Sequence, residues 1–448
     1  MSREKAANNP QSPEFGLGWA RDLAFLLFSS KHLIWILLLI AVVIRGAFAL
    51  RNPSMEWDAS HYRAIAHHLA TGQGYTSDGL HPETYWAPLA PFLIAGVYKL
   101  GGGNLAVREV WALLGVCLVF AVYGLGRVQH GLVAANLAAF AAAFYPYNIV
   151  VGASTSTEIP SILFILLTIL FLCSWLNQGK SVYSLLAGAS LGLAVLDRPA
   201  AVVFLPLGVI LHYWRFASVP RVRCIAACVL FVGAAGVIFV PWSIRTSRVA
   251  GTLCVVTSGG AWNLWFGNNP WLEDYSVGKM SADDIGRRLR AVIPPDADTE
   301  AQKDKAMMSA LRQFVVAQPV SELRLLAFKT IQFWEIPGMT ARATDPSVKS
   351  LRSVIILVGC FTYVPIALLA GLSVIYHIQT RQVNRIGIYL AWIVLTFISY
   401  VWFPAVTRFR FAGGLDNLMI VLSAAYLGAT VFYQQTARTF RRQREPGL

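Results

Sequence analysis

The sequence predicts an all-α polytopic membrane protein with about ten transmembrane helices. Its 448 residues are 56% hydrophobic and only 13% charged, whereas roughly a quarter of the residues are charged in soluble proteins. Long apolar runs recur along the whole chain, and a helix needs about 20 apolar residues to cross a bilayer. The net charge of +14 lies in short basic segments between these runs. That distribution indicates membrane topology and contact with anionic membrane lipids, and it argues against a nucleic-acid partner.

Ten apolar runs qualify as predicted spans because they approach the length that a bilayer requires. They cover residues 32–50, 104–125, 130–150, 158–176, 182–196, 199–214, 224–242, 351–376, 386–403 and 414–433. Arg198 and Pro199 separate the two shortest runs, so the boundaries within 182–214 are the least defined.

The basic residues predict the orientation, because Lys and Arg are enriched in cytoplasmic segments. The clusters at 215–223 and 438–444 place both termini in the cytoplasm, which requires an even number of spans. The chain has no Asn-x-Ser/Thr sequon with a residue other than proline at x, which favours a bacterial inner membrane over a secretory pathway. The predicted division is a cytoplasmic tail 1–30, a transmembrane core 31–244 with a first outer loop 51–103, an extracytoplasmic helical segment 245–350, C-terminal spans 351–433 and a basic cytoplasmic tail 434–448.

Residues 55–75, "MEWDASHYRAIAHHLATGQGY", predict a short amphipathic helix on the outer membrane surface. One apolar face is formed by residues at i, i+3, i+4 and i+7: Tyr62, Ile65, Ala66 and Leu69. Asp58 stands at the natural N-cap, where its carboxylate could bond free backbone N–H groups. Such a carboxylate could equally act as a general base. Residues 86–100 predict a second interfacial helix that starts near Pro88 and Pro91.

Glu158 and four arginines lie at the predicted outer ends of spans. Carboxylates at membrane depth are costly and commonly functional, although Glu158 could simply favour a helix N-terminus. The positive-inside rule disfavours arginine on the outer side, and the planar guanidinium suits phosphate. The four arginines are therefore candidate phosphate contacts: Arg198, Arg245, Arg408 and Arg410. The alternative is that each anchors the membrane surface, with Asp197 neutralising Arg198.

The segment 257–271, "TSGGAWNLWFGNNPW", contains Asn263 among glycines and tryptophans. Loops of this kind can bind sugars, while an interfacial tryptophan belt is the alternative. Farther on, residues 299–334 predict two helices broken at Pro319. The six cysteines and eight histidines show no spacing typical of a disulfide framework or a metal site. We therefore expect no metal ligands and no required cofactor, while a divalent metal that assists a carboxylate stays open.

Four stretches of the chain resemble the C-type membrane glycosyltransferases, in the branch of the protein O-mannosyltransferases and the lipid A aminoarabinose transferase. They are "WDASHYRAIAHHLATGQGY" followed by "WAPLAPFLIAGVYKLGG", "YPYNIVVGASTSTEIPSILF", "GLAVLDRP" and "PWSIRTSRVAGTLCVVTSGGAWNLWFGNNP". Their shared order carries the resemblance. The chain departs from the aminoarabinose branch at "YWAP", where that branch has a lysine, and at "FAGGLDN", where many relatives have prolines.

The resemblance implies a multi-span fold with an active site at the outer face. It implies that a sugar is transferred with inversion from a polyprenyl-phosphate donor, with Asp58 as the base that serves the acceptor. Glu158 matches a second acidic position, and the four arginines lie where relatives place phosphate contacts. Asn263 and Arg63 are added here as candidate substrate contacts, and the acceptor could be a glycan, a lipid such as lipopolysaccharide, or a protein.

Two other functions remain open from the sequence. A polymerase or ligase of diphosphate-linked lipid oligosaccharides could use the same outer arginines. A transporter or flippase for lipid-linked sugars would be expected to bury charge near the bilayer centre. The candidate functional charges lie at the predicted outer surface instead, which favours an enzyme.

Overall fold

A computed structural model describes residues 18–51, 58–152, 155–214, 219–336, 346–404 and 406–432. Twenty α-helices dominate these residues, and no strand longer than an isolated bridge between Thr76 and Pro82 is found among them. In chain order the helices are α1 (Gly18–Phe28), α2 (Leu33–Arg51), α3 (Ala59–Ala70), α4 (Leu89–Lys99), α5 (Asn104–Gln129), α6 (Leu132–Phe144), α7 (Pro146–Gly152), α8 (Glu158–Gln178), α9 (Ser181–Asp197), α10 (Phe204–Trp214), α11 (Arg221–Ala250), α12 (Gly260–Gly267), α13 (Leu272–Ser276), α14 (Ala282–Arg290), α15 (Glu300–Ala317), α16 (Pro319–Trp334), α17 (Pro346–Gln379), α18 (Gly387–Tyr400), α19 (Val406–Ala412) and α20 (Leu415–Thr430).

The prediction of an all-α membrane protein is confirmed, whereas the count of ten spans is not. Within the described residues, five helices are long and apolar enough to cross a bilayer: α2, α5, α8, α11 and the Ile356–Gln379 part of α17. A sixth span results if α6 and α7 are taken as one bent element. Each of the four remaining predicted runs contains an apolar helix that falls short of this length. For example, α18 has 14 residues and is about 21 Å long, less than the roughly 30 Å hydrocarbon thickness.

Helices α5 and α8 form the centre of the bundle. Helix α8 contacts α5 on one side and α9 on the other, and 72% of its most apolar window is buried. Helix α9 in turn packs on α11, while α20 packs on α6 and α17. The contact of α9 with α11 depends on Gly188 and Gly192, because a Cβ at these positions would lie 2.1 Å from the Phe231 carbonyl oxygen and 2.9 Å from that of Ala235. Small residues four apart permit this close approach of two membrane helices.

The chain bends by 57° between α6 and α7, and a buried arginine stabilises the bend. Pro146 has no N–H, so the Ala142 carbonyl loses its helical partner at residue 146. Arg45 of α2 is fully buried and supplies the missing donors. Its Nη2 donates to the Ala142 oxygen at 3.1 Å and its Nη1 donates to the Ala143 oxygen at 3.0 Å. The arginine in the apolar run "VVIRGAF" is therefore a structural group.

The segments between the spans agree with several predictions of detail. In α3 the apolar face is buried as expected, with Leu69 packed against the core less completely than the others. Helix α16 begins at Pro319, the position predicted to separate two helices. Helices α12 to α16 share a small apolar core of their own, which includes Trp265 and Phe314. Helix α1, which the sequence pattern did not predict, lies within the predicted tail 1–30 and contacts α6.

We expect Arg45→Leu to lower stability, because it leaves the carbonyls of Ala142 and Ala143 without the arginine donors inside the bundle. The expected loss is about 1–3 kcal/mol for the Ala143 carbonyl left unpaired, since the Ala142 oxygen still accepts from Asn148 Nδ2 at 3.4 Å. It is measured as a fall in the thermal unfolding midpoint of the purified protein in detergent. The matched control is Arg51→Leu at the exposed end of the same helix, which should unfold as the wild type does. Equal midpoints for both variants would contradict the structural role of Arg45.

Candidate active site

Four charged side chains from distant segments meet at one end of the bundle in a line of alternating charge. Arg408 of α19 donates from Nη2 to Asp58 Oδ2 at 2.8 Å and from Nε to Glu158 Oε1. The same Glu158 oxygen accepts from Arg198 Nη2 at 2.8 Å. Arg198 Nη2 also lies 2.9 Å from the hydroxyl of Thr157. We call Asp58, Arg408, Glu158 and Arg198 the charged cluster, and the end of the bundle that carries it the site end.

One half of the charged cluster is buried and the other half is partly exposed. The side chain of Glu158 is 4% exposed and that of Arg198 is 11% exposed. At the other end, Asp58 is 27% exposed and Arg408 is 41% exposed. The buried half therefore holds the cluster in place, and the open half is accessible to a substrate.

Asp58 occupies the predicted N-cap position of α3, but its side chain accepts no capping hydrogen bond. The expectation that its carboxylate bonds free backbone N–H groups is therefore wrong. The reason is the backbone of Asp58, which is helical with φ of −94° and ψ of −19°, whereas a capping residue typically has extended backbone. Oxygen Oδ1 accepts no hydrogen bond from the residues that the structure describes.

The charges of the cluster affect the pKa values of Arg408 and of the neighbouring Tyr62. The pKa of Arg408 is raised well above its usual value, first by the charge of Glu158 and then, against an opposing effect of burial, by that of Asp58. The pKa of Tyr62 is also raised, mainly by burial and next by Asp58. Arg408 thus stays charged and the Tyr62 phenol stays neutral at physiological pH.

The pairing of Arg198 differs from the simpler of the two expectations. Its Nη2 reaches Glu158 and Thr157 and makes no bond to its chain neighbour Asp197. Asp197 is the last residue of α9 and is buried, while Arg198 has extended backbone just beyond the helix end, with φ of −138° and ψ of 105°. The two adjacent side chains therefore do not neutralise each other through a direct bond.

Arg245 lies apart from the charged cluster and holds the first outer loop. Its Nη1 donates to the Glu83 carbonyl oxygen at 2.6 Å, and its guanidinium stacks over the Trp242 ring at 4.7 Å. A phosphate contact by Arg245 stays a prediction, which this geometry does not favour.

Arg410 lies two residues beyond Arg408, is fully buried and links two helices. Its Nε donates to Asp416 Oδ1 at 3.0 Å, and its Nη1 donates to the carbonyl oxygens of Phe333 and Glu335 at 2.7 and 2.9 Å. These bonds join the C-terminal end of α16 to the start of α20. The role of Arg410 as a phosphate contact stays a prediction, which its full burial does not favour.

The two remaining candidate contacts lie in different places. Arg63 lines a separate open cavity of about 650 Å³ together with His67, Tyr98 and the 102–104 turn. Asn263 of α12 lies beside the phenol of Tyr85, and its Nδ2 donates to the Gly259 carbonyl oxygen at 2.8 Å. Asn263 and the Tyr85 ring thus both contact Gly259.

Two aromatic residues at the site were not predicted as functional. Tyr85 and Trp86 pack edge to face with ring centroids 5.1 Å apart, and Trp86 stacks on His61 at 4.9 Å. The available signal was "YWAP", noted above as a departure from the aminoarabinose branch. Among the residues that the structure describes, no group of three or more His, Cys, Asp or Glu side chains is placed to hold a metal.

The chain is similar to known proteins in part of its sequence and in its fold. Residues 81–244 match the family model for dolichyl-phosphate-mannose-protein mannosyltransferases, which is somewhat more than a third of the chain. The matched region includes Glu158 and Arg198. Among curated protein sequences there is no significant match.

Solved structures match over nearly the whole chain. The oligosaccharyltransferase of Archaeoglobus fulgidus in its apo form is 17% identical with a TM-score of 0.53, and the match covers 92% of this chain and 52% of that one. The same enzyme tethered with an acceptor peptide containing the NVT sequon is 17% identical with a TM-score of 0.52, and the match covers 93% of this chain and 51% of that one. ArnT from Cupriavidus metallidurans bound to undecaprenyl phosphate is 14% identical with a TM-score of 0.43, over 91% of this chain and 81% of that one.

The chain therefore has the fold of the C-type membrane glycosyltransferases, which confirms the resemblance seen in the sequence. It spans about half the length of the oligosaccharyltransferase that it matches. Together with the apolar helices, the fold makes it an integral membrane protein.

Arg410→Met should destabilise the protein because it leaves Asp416 buried without its guanidinium partner. Removal of one member of a buried ion pair costs about 3–5 kcal/mol, which should appear as a large fall in the thermal unfolding midpoint. The control is Arg324→Met, which breaks an ion pair with Glu273. The side chain of Arg324 is 75% exposed and that of Glu273 is 41% exposed. An exposed pair contributes about 0–1 kcal/mol. Similar midpoints for the two variants would therefore contradict the structural role of Arg410.

Proposed function

We propose that the protein is an inverting glycosyltransferase that moves a sugar from a polyprenyl-phosphate donor to an acceptor hydroxyl. The observation that carries the proposal is the open half of the charged cluster, where Asp58 lies beside Arg408 and its Oδ1 accepts no hydrogen bond from the described residues. The family match over 81–244 and the fold support the class of reaction. The same pairing of a base and a phosphate-binding cation is what sugar transfer from a lipid phosphate requires.

Asp58 is the proposed general base. Its Oδ1 takes the proton from the acceptor hydroxyl as the acceptor oxygen forms a bond to the anomeric carbon. The bond between that carbon and the phosphate oxygen breaks on the opposite face, and its electron pair leaves with the lipid phosphate. One displacement of this kind inverts the configuration of the sugar.

Arg408 is the proposed contact of the departing phosphate. It carries a lasting positive charge, has an accessible side chain and lies 2.8 Å from the base. Charge that develops on the phosphate oxygen is stabilised by a donor already held in place. Glu158 and Arg198 act through Arg408, because their buried ion pair fixes its Nε.

The proposed setting is a bacterial inner membrane with both termini in the cytoplasm and the site end at the outer surface. The basic segments predict this orientation. The proposed biological role is modification of a cell-envelope glycan, a lipid such as lipopolysaccharide, or a protein.

A second candidate follows from the structural match. The name oligosaccharyltransferase indicates transfer of an oligosaccharide, and that fold overlaps 92% of this chain. A polymerase or ligase of diphosphate-linked lipid oligosaccharides would release a lipid with two phosphates, whereas the proposed donor leaves one. Mass spectrometry of the lipid product separates the candidates: one phosphate supports the proposed donor, and two phosphates support the alternative.

Asp58→Asn should lower turnover of undecaprenyl-phosphate mannose by about 10²–10⁴-fold, because the amide cannot take up a proton. The assay follows transfer of radiolabelled sugar by the purified full-length protein to envelope material from a strain that lacks it. Asp283→Asn on the exposed surface of α14 is the matched control. Wild-type turnover in Asp58→Asn would refute the base assignment.

Arg408→Ala should weaken donor binding by about 1.5–3 kcal/mol, the contribution of a hydrogen bond to a charged group. The measurement is the donor dissociation constant, with Arg248→Ala, exposed at the end of α11, as the control. Unchanged affinity in Arg408→Ala would return this arginine to a purely structural role.

We expect this reaction to need no resident cofactor. Chelation with EDTA should leave the transfer rate unchanged in the same assay. Loss of activity that Mg²⁺ or Mn²⁺ restores would show instead that a divalent metal assists the carboxylate.

A further inference from the structure

The ring of Tyr85 lies directly against the backbone of Gly259. A Cβ on Gly259 would lie 2.7 Å from Cε2 and 2.9 Å from Cδ2 of the tyrosine. The backbone of Gly259 has φ of −75°, a value that any residue adopts. Glycine is therefore required here by the space that the ring occupies.

Several bonds fix the loop that carries Tyr85 to the segment that carries Gly259. Ser258 N donates to the Thr84 carbonyl oxygen at 2.9 Å, and the two hydroxyls of these residues lie 3.0 Å apart. The Glu83 carboxylate accepts from Tyr85 N at 2.8 Å. Arg245 Nη1 donates to the Glu83 carbonyl oxygen at 2.6 Å. The phenol is thus positioned before any substrate arrives.

Tyr85 lies beside the first turn of α3, because its neighbour Trp86 stacks on His61 at 4.9 Å and packs edge to face on Tyr62 at 5.3 Å. Tyr62 N in turn donates to the Asp58 carbonyl oxygen at 3.2 Å. Burial raises the pKa of Tyr85 to about 12, the charge of Asp58 adds to this effect, and the Asn263 amide lies in hydrogen-bonding reach. By contrast, the pKa of Tyr62 also feels the charges of Arg198 and Arg408. Tyr85 therefore stays a neutral donor at physiological pH.

A neutral donor and an amide suit a neutral ligand. The phosphate of the donor would pair with the arginines, whereas an acceptor hydroxyl needs uncharged hydrogen-bonding groups and benefits from an aromatic face. Tyr85 and Trp86 supply the ring surface, and the part-buried Tyr85 remains accessible.

We propose that Tyr85 is a positioning residue of the acceptor subsite, where its hydroxyl and the Asn263 amide hold a polyhydroxylated acceptor with one hydroxyl directed at Asp58. This inference rests on the proposed function and adds the acceptor side of the same site. It names the class of acceptor group that the subsite takes, a neutral sugar-like hydroxyl.

The test compares three full-length variants. Tyr85→Phe removes the hydroxyl and keeps the ring, while Gly259→Ala adds a methyl group that displaces the ring. Gly260→Ala is the matched control, since a Cβ at Gly260 meets no atom within 4 Å. Each protein receives radiolabelled undecaprenyl-phosphate mannose and a titrated amount of envelope material, and release of free mannose to water is measured in parallel.

Tyr85→Phe and Gly259→Ala should raise the acceptor KM by about fivefold, the effect of one neutral hydrogen bond, and leave the donor KM within about twofold. The share of free mannose should rise in both, because water replaces a badly held acceptor. Gly260→Ala should match the wild type. An unchanged acceptor KM in Tyr85→Phe, with an active wild type, overturns the role of Tyr85 alone. A wild type that neither transfers nor releases mannose, with this donor and with other undecaprenyl-phosphate sugars, overturns the proposed function as well.

Discussion

The guanidinium of Arg408 joins the two halves of the candidate site. It bonds Asp58, which precedes α3, and Glu158, which begins α8. Without this cation two carboxylates would approach each other at the edge of an apolar bundle, which is costly. Three segments far apart in the chain are thereby held together, and the open carboxylate gains a fixed position.

The other buried arginines are structural groups that compensate for interrupted helices. Arg45 bonds the carbonyls left without partners where Pro146 ends α6. Arg410 bonds the carbonyls at the C-terminal end of α16 and pairs with Asp416. Helix ends expose backbone groups that must be satisfied inside the protein at membrane depth. A buried cation next to such an end satisfies them at a cost that its ion pair or its hydrogen bonds offset.

Two arginines on the short helix α19 differ in their roles. Arg408 and Arg410 are two residues apart on the short helix α19, yet one is accessible and the other is fully buried. The buried arginine anchors α19, and this anchoring places the accessible one beside Asp58. Stacking of Tyr400 on Phe409 at 4.9 Å adds a further constraint on the same helix. We infer that these buried contacts hold α19 rigidly and thereby fix the position of the accessible Arg408 side chain.

The fold class followed from the sequence because membrane helices depend on local composition. Apolar runs predicted the helices, and the residue spacing predicted the buried face of α3. The number of spans did not follow, since helix ends depend on caps and breaks such as the one between α6 and α7. The site followed in part: Asp58, Glu158, Arg198 and Arg408 were candidates, while Tyr85 and Arg45 were not recognised as groups with a role.

The sequence by itself determined that this chain is a helical membrane protein and which charges stand at the ends of its helices. Those features are local, because a charge in or beside an apolar run is costly wherever the run is placed. Only the tertiary structure decided which charges meet. Arg408 reaches Asp58 and Glu158, whereas Arg245 and Arg410 bond backbone carbonyls elsewhere. The same residue type thus became a candidate catalytic contact or a structural link according to its neighbours across the fold, and spacing along the chain carries no record of them.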